Sequence, residues 1–197
     1  VNADILLIDR YSLATAEQRT RGRAWYDAAR AACESIAADT GLALDRVAAV
    51  MAITSPDAKL VQNIAWTRAA CEAKARRRPL TAGRYPADQL PKIARALDQR
   101  RPNPGQYVTG PKVSAFYRAI MGDDDCLVID RWAAFAAGFD RMKPPSAGDR
   151  TVIESAYRLA AFSVGESVRD FQAIVWIQTR ESTVHKGTGT VHKHFDF

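Results

Sequence analysis

Two residues carry the chemistry that this sequence suggests. Lys112 follows Gly110-Pro111, a turn that leads into a helix, and Asp130 opens a second helical stretch, Arg131-Trp132-Ala133-Ala134-Phe135. The field at a helix N-terminus disfavours an exposed ammonium by about 0.3–1 kcal/mol and so favours the neutral amine. Burial adds to that effect. A lysine held neutral is a nucleophile able to form a Schiff base. The competing reading is a solvated lysine that tolerates a poor position. Asp130 reads first as an N-cap, a position that aspartate favours. Capping also fixes a carboxylate in place, which suits it to stabilise a cation or activate a water. The capping and catalytic readings are compatible.

The elements that position these residues are helical. Thr15-Ala16-Glu17-Gln18 forms a capping box at the head of an alanine-rich helix over 15–39. Trp25, Ala29, Ala32, Cys33 and Ile36 make its apolar stripe, and Gly41 closes it. Residues 45–54 are apolar all round, as in a buried helix. Ser55-Pro56 reads as the start of a helix running to about Lys74. Residues 75–91 read as punctuation, 92–100 as a short helix and 101–107 as a second loop. Helices follow at about 111–121, 130–137, 151–163 and 168–180. The last two are headed by capping boxes at Thr151–Glu154 and Ser167–Asp170. The fold expected is all-α. The tail over 182–197 repeats Thr-Val-His-Lys around Gly187-Thr188-Gly189, which reads as a polar tail or small hairpin.

Composition bounds the partners. The chain has 197 residues, 47% hydrophobic and 25% charged, which fits one folded domain or two small lobes. No run approaches the roughly 18 apolar residues of a membrane span. The N-terminal stretch lacks the basic region of a signal peptide, so the expected address is the cytoplasm. The net charge of +6 favours an anionic partner such as nucleic acid. Cys33, Cys71 and Cys126 are scattered, without metal-ligand spacing, and read as small buried hydrophobes. Neither the Asp123-Asp124-Asp125 triplet nor His185, His192 and His194 makes a convincing metal site. No metal or cofactor is expected.

The text Gly110-Pro111-Lys112-Val113-Ser114-Ala115, followed by Val128-Ile129-Asp130-Arg131-Trp132, resembles the helix-hairpin-helix DNA glycosylase superfamily of the endonuclease III type. That family carries G-x-K-[TS]-A and then [VI]-D-T-H. The resemblance spans roughly residues 46–140, with its specific part at 107–132. It implies two helical lobes flanking a cleft within 1–181, one from 1–45 and 140–181 and the other from 46–139. It implies that Lys112 attacks the sugar C1′ with Asp130 assisting, and that hairpin amides around Val108 and Gly110 grip a phosphate. The sequence departs from the family at Tyr107, where a proline is usual, at Val108, where a glycine is usual, and at Arg131-Trp132, in place of Thr-His.

A looser match over 48–66 marks Ser55, Asp57, Gln62 and Asn63 as lining a base pocket or filling the gap left by a flipped base. Trp66 and Trp132 are candidates for base stacking, with core or cleft-wall roles as the alternative. Trp25 and Trp176 read as core. Arg76, Arg77, Arg78, Arg100, Arg101 and Arg131 are candidate DNA contacts.

Three functional classes follow. The first is a monomeric DNA glycosylase, with or without lyase activity, acting on a base flipped from duplex DNA. The chain also resembles proteins of actinobacteria and their phages, and some glycosylase-fold relatives are thought to process hypermodified thymine. The second is therefore an enzyme of that kind on the same scaffold. The third is a non-catalytic DNA-binding module. A helical interaction protein is the blandest outcome.

Overall fold

The computed structural model describes residues 2–187. Among them every regular element is helical. In chain order these are α1 (Ala3–Ser12), α2 (Ala16–Thr40), α3 (Leu44–Thr54), α4 (Leu60–Ala75), α5 (Pro86–Ala96), a 3-10 turn (Pro104–Tyr107), α6 (Pro111–Ile120), α7 (Arg131–Ala136), α8 (Ala147–Val164) and α9 (Val168–Gly187). The chain divides into two compact units: a terminal unit of residues 2–26 and 123–187, and a central unit of residues 27–122.

In the terminal unit α1 packs on α7, α8 and α9, and α9 also packs on α7 and α8. Its core joins Leu7 and Tyr11 to Leu127, Ile129, Ala133, Ile153, Tyr157, Phe171 and Ile174. This core explains why the division falls after residues 26 and 122 rather than after 45 and 139. The apolar run Cys126–Ile129 and the alanines of α7 are buried with the terminal helices. Tyr11 stacks on Phe171 with ring centroids 5.2 Å apart, and its hydroxyl donates to Glu166 at 2.7 Å. Arg23 also pairs with Glu166. The aspartate triplet is braced by arginines, Asp125 by Arg158 and Asp124 by Arg169.

In the central unit α3 is the hub. Residues 46–54 are all buried, and α4, α5, α6 and the 3-10 turn pack on this helix. Its one buried charge is anchored: the Arg46 guanidinium donates to the carbonyls of Ala96, Asp98 and Arg101 at 2.6–3.0 Å. This pins the chain that leaves α5 toward the 3-10 turn. Cys33 and Cys71 are buried, and burial pushes both thiols up to about 12.

Several element boundaries differ from expectation. Ser55 ends α3 instead of starting a helix, its hydroxyl donating to the Ala52 carbonyl at 2.8 Å. Asp57 then takes φ 56°, which breaks the helical path before α4 begins at Leu60. α5 begins at Pro86, within the expected loop, continues through Pro91 and buries Gln89, Ile93 and Ala96. The box that caps α8 is Ser146 with Asp149, not Thr151 with Glu154. α1 lies where no helix is expected. The expected tail boundary at 182 is also replaced, since α9 continues to Gly187. Ser182 and Thr183 donate to the carbonyls of Gln178 and Thr179, so their hydroxyls are satisfied within the helix. The rest of the expected hairpin, with His192 and His194, lies outside the described residues, as does the His185 side chain.

Two predictions test this packing. A Cβ added at Gly22 would lie 2.4 Å from Ile174 Cγ1 and 2.7 Å from Ile174 Cα. Overpacking of that kind costs about 1–3 kcal/mol, more than the roughly 1 kcal/mol that alanine gains over glycine in a helix. Gly22→Ala should therefore lower the urea midpoint; a raised midpoint would show that α2 and α9 do not approach so closely. The second prediction concerns acid. Hydrogen bonding from Arg23 holds the Glu166 carboxyl below the ordinary carboxylate range. Its contribution is complete above the unfolded value of about 4.3 and fades as pH falls through the lower folded value. Glu166→Gln should flatten the acid limb of a stability–pH curve, and an unchanged limb would assign the acid sensitivity elsewhere.

Candidate functional site

The lysine turn is built in the central unit. The Val108 amide donates to the Gly105 carbonyl at 3.0 Å, and the Ser114 hydroxyl caps the Val108 carbonyl at 2.7 Å. Both polar groups of Val108 are engaged, and the residue is buried. The Val108 amide is therefore not free for a phosphate, which corrects one expected contact. Gly110 is the N-cap of α6 at φ 97°, a conformation that glycine adopts without strain. Its carbonyl accepts the Ser114 amide at 2.9 Å. Pro111 supplies the first helical residue and has no N–H to leave unpaired. Lys112 comes next, half-buried. Among the described residues its amine makes no hydrogen bond or ion pair.

Asp130 is built in the terminal unit. The buried run Cys126–Ile129 delivers it to the N-terminus of α7. One carboxylate oxygen accepts the amides of Trp132 and Ala133 at 2.9 and 2.8 Å. The other accepts the indole N–H of Trp176 at 3.2 Å. The carboxylate is thus gripped from two elements, α7 and α9. Tyr157 supports the same helix from below, its hydroxyl donating to the Ala133 carbonyl at 3.1 Å.

Aromatic rings and guanidiniums surround this carboxylate. Arg180 Cζ lies 4.3 Å from the Trp176 ring centroid and 5.6 Å from that of Trp132. Arg141 Cζ lies 4.5 Å from the Trp132 centroid. Arg10 sits over Phe135 at 5.4 Å, and Phe135 meets Trp132 edge-on. Burial lowers the pKa of Arg180, partly offset by the Asp130 charge. Arg131 is exposed.

The remaining candidates fall in the central unit. Asn63 is buried and bonded: its Nδ2 donates to the Met51 carbonyl at 3.0 Å, and its Oδ1 accepts the Thr54 hydroxyl at 2.6 Å. It ties α3 to α4, so the expected role in lining a base pocket gives way to a structural one. Ser55 is likewise engaged as the end of α3. Gln62 is exposed and Trp66 is half-buried. The Asp57 carboxylate accepts the Tyr85 hydroxyl. Arg76, Arg77 and Arg78 form an exposed run after α4, with Arg77 at φ 53°. Arg100 and Arg101 both reach Asp98, and Arg101 also donates to the Tyr107 hydroxyl at 2.9 Å. Hydrogen bonding from Arg100 brings the Asp98 carboxyl down to about 2.

The model of a family of unknown function, DUF7178, matches residues 3–183. The chain belongs to that family. No curated protein and no solved structure matches it. The matched span of this DUF7178 chain includes both the lysine turn and the Asp130 cluster. It is all-helical among the described residues, and no helix there is long and apolar enough to cross a membrane.

Three members of the Asp130 cluster escape sequence reasoning in this DUF7178 chain. Trp176 reads as core, yet its indole N–H serves Asp130. Arg180 follows Trp176 by one helical turn, a spacing that places their side chains together, and this signal was legible. Arg141 lies in an irregular stretch and carries no such signal.

Asp130→Ala removes an N-cap, which costs about 0.5–2 kcal/mol. It also leaves the Trp176 N–H without its acceptor, at about 1–3 kcal/mol more if no water replaces it. The thermal midpoint should fall, and a double-mutant cycle with Trp176→Phe should show coupling. Additive effects would mean that the indole bond contributes nothing.

Proposed function

We propose that this protein is a DNA-base-processing enzyme, a glycosylase that acts on a base flipped out of duplex DNA. The observation that carries the reading is the state of the Asp130 carboxylate. It is held from two elements at the start of α7, at the position where the resemblance requires the assisting aspartate. Lys112, in the first turn of α6 behind a glycine at positive φ, supplies the nucleophile.

In this mechanism Lys112 attacks C1′ of the flipped nucleotide. The C1′–N bond breaks, the base leaves with its bonding electron pair, and a proton neutralises it. A Schiff base with the opened sugar follows. Asp130 stabilises positive charge as it develops on the sugar. The free amides at the head of α6 and the arginine runs 76–78 and 100–101 supply phosphate contacts. A second reading, an enzyme acting on a modified thymine, draws on Arg131-Trp132 standing where the glycosylase pattern has Thr-His.

Borohydride trapping tests the mechanism. Duplexes carrying an abasic site, uracil, an oxidised pyrimidine or 5-hydroxymethyluracil should give a covalent adduct with the wild-type protein. Lys112→Ala should give none, and Asp130→Asn should slow base release by roughly 100-fold or more, as loss of an electrostatic stabiliser does. Base release that persists in Lys112→Ala without trapping would replace the lysine by an activated water. Absence of base release from every duplex would remove the glycosylase reading.

A further inference from the structure

Among the described residues the central unit buries five polar or charged side chains: Arg46, Thr54, Asn63, Thr67 and Gln89. Four of them are paired. Arg46 meets three carbonyls, and Thr54, Asn63 and Thr67 bond to one another and to the nearby backbone. Gln89, on α5, is the exception. It is 1% exposed, and neither its Oε1 nor its Nε2 has a hydrogen-bond partner among the described residues. A buried carboxamide in that state is costly, because it has given up water on both its donor and its acceptor side. No step of the proposed mechanism uses it.

The surroundings of this amide are aromatic and uncharged. A Cβ built on Gly83 would lie 2.8 Å from Trp66 Cε3, 3.0 Å from Gln89 Oε1 and 3.3 Å from the Thr54 carbonyl oxygen. The end of α3, the middle of α4 and the start of α5 therefore converge under the Gly83 backbone, and a side chain at 83 would collide with the ring. Gln89 offers a donor and an acceptor side by side in one plane. That pattern matches a flat ring carrying an N–H beside an acceptor, as on the pairing edges of thymine, guanine and adenine. None of Gln89, Trp66, Thr54 and Gly83 is charged, so a neutral ring suits the place better than a phosphate. Trp66, half-buried, supplies aromatic surface of the kind on which bases stack. Access is set by the irregular segment 78–84, which carries Gly83 over the amide. The end of this segment is tied to the turn after α3. Arg84 Nη1 donates to the Asp57 carbonyl at 3.3 Å, and the Tyr85 hydroxyl donates to the Asp57 carboxylate, both at exposed positions. Exposed bonds of this kind open at low cost.

We propose that Gln89 is the reading residue of a binding site for a neutral nucleobase-type ring, with Trp66 beside the ring and segment 78–84 lifting to admit it. The donor and the acceptor on the edge of the ring satisfy Oε1 and Nε2 together. The assignment of that ring to a base displaced from DNA rests on the reading of the protein as a DNA-base-processing enzyme; the unpaired amide does not. Gln89 takes the role that the sequence suggested for Asn63, and Trp66 keeps its expected place against the base.

Tryptophan fluorescence of the 197-residue protein can be followed while thymidine, guanosine and adenosine are added, each beside the analogue methylated on its pairing edge. At least one nucleoside should bind saturably, and its methylated analogue about tenfold or more weakly, the scale of one or two lost hydrogen bonds. Gln89→Leu removes an amide that no protein group pairs, so its urea midpoint should hold or rise while nucleoside binding weakens by a similar factor. Duplexes with one mismatched base and fully paired duplexes form a second arm. If the site reads a base displaced from DNA, Gln89→Leu should weaken binding of the mismatched duplex about tenfold and leave the paired duplex unchanged. If only the nucleosides respond, the site takes a free nucleoside and its link to DNA is removed. Nucleosides bound no better than their methylated analogues, together with wild-type duplex affinity in Gln89→Leu, would overturn the site. A lowered midpoint with those same affinities would make Gln89 structural. Should Gln89→Leu not fold, the comparison of nucleosides with their analogues decides on the wild-type protein alone. Gln89-dependent binding in a protein that releases no base would leave the site standing and remove only the glycosylase reading.

Discussion

The terminal unit depends on how the Asp130 carboxylate is held. An aspartate at a helix N-terminus is ordinary, because the first amides of a helix lack internal partners. Here the second oxygen is taken as well, by an indole N–H from α9. One residue thereby joins the buried strand-like run 126–129, the short helix α7 and the long helix α9. The packing makes this possible. Cys126–Ile129 is buried, and Ala133, Ala134 and Ala136 are small enough for α7 to lie against α1 and α9. A six-residue helix has little stability of its own, so its cap and its buried alanines determine whether it forms.

The central unit rests on a different device. α3 is buried on all sides, and one arginine anchors it. Arg46 pays for its burial by satisfying three carbonyls at the end of α5. This fixes the path into the 3-10 turn, and the turn leads to Gly110 and Lys112. The buried Thr54–Asn63–Thr67 group does the same for the junction between α3 and α4. Polar residues near a presumed pocket can be structural in this way. A buried amide needs hydrogen bonds, and here the nearest backbone provides them.

Much of the helical layout was legible in the sequence because local rules determine it. The Thr15–Gln18 capping box forms as read, with both reciprocal bonds present. Gly110-Pro111 starts α6, and Asp130 caps α7. Errors cluster where local signals compete. Ser55-Pro56 looks like a helix start, but the Ser55 hydroxyl is used to end the preceding helix. Ser146 and Thr151 both offer capping, and Ser146 forms the box because its partner Asp149 reaches back to it. Glycine and histidine in the tail suggested a hairpin, yet α9 runs on to Gly187, with the Ser182 and Thr183 hydroxyls satisfied within the helix.

The sequence by itself determined the helical class, the turn that presents Lys112 and the capping of Asp130. Each depends on neighbours within about one helical turn, where spacing and residue type suffice. Only the tertiary structure decided that Trp176 serves Asp130, that Arg141 and Arg180 share a ring, and that Asn63 is buried scaffolding. Those facts join residues from separate helices. Which side chains meet across such distances is set by how the core packs, and helical periodicity carries no record of it.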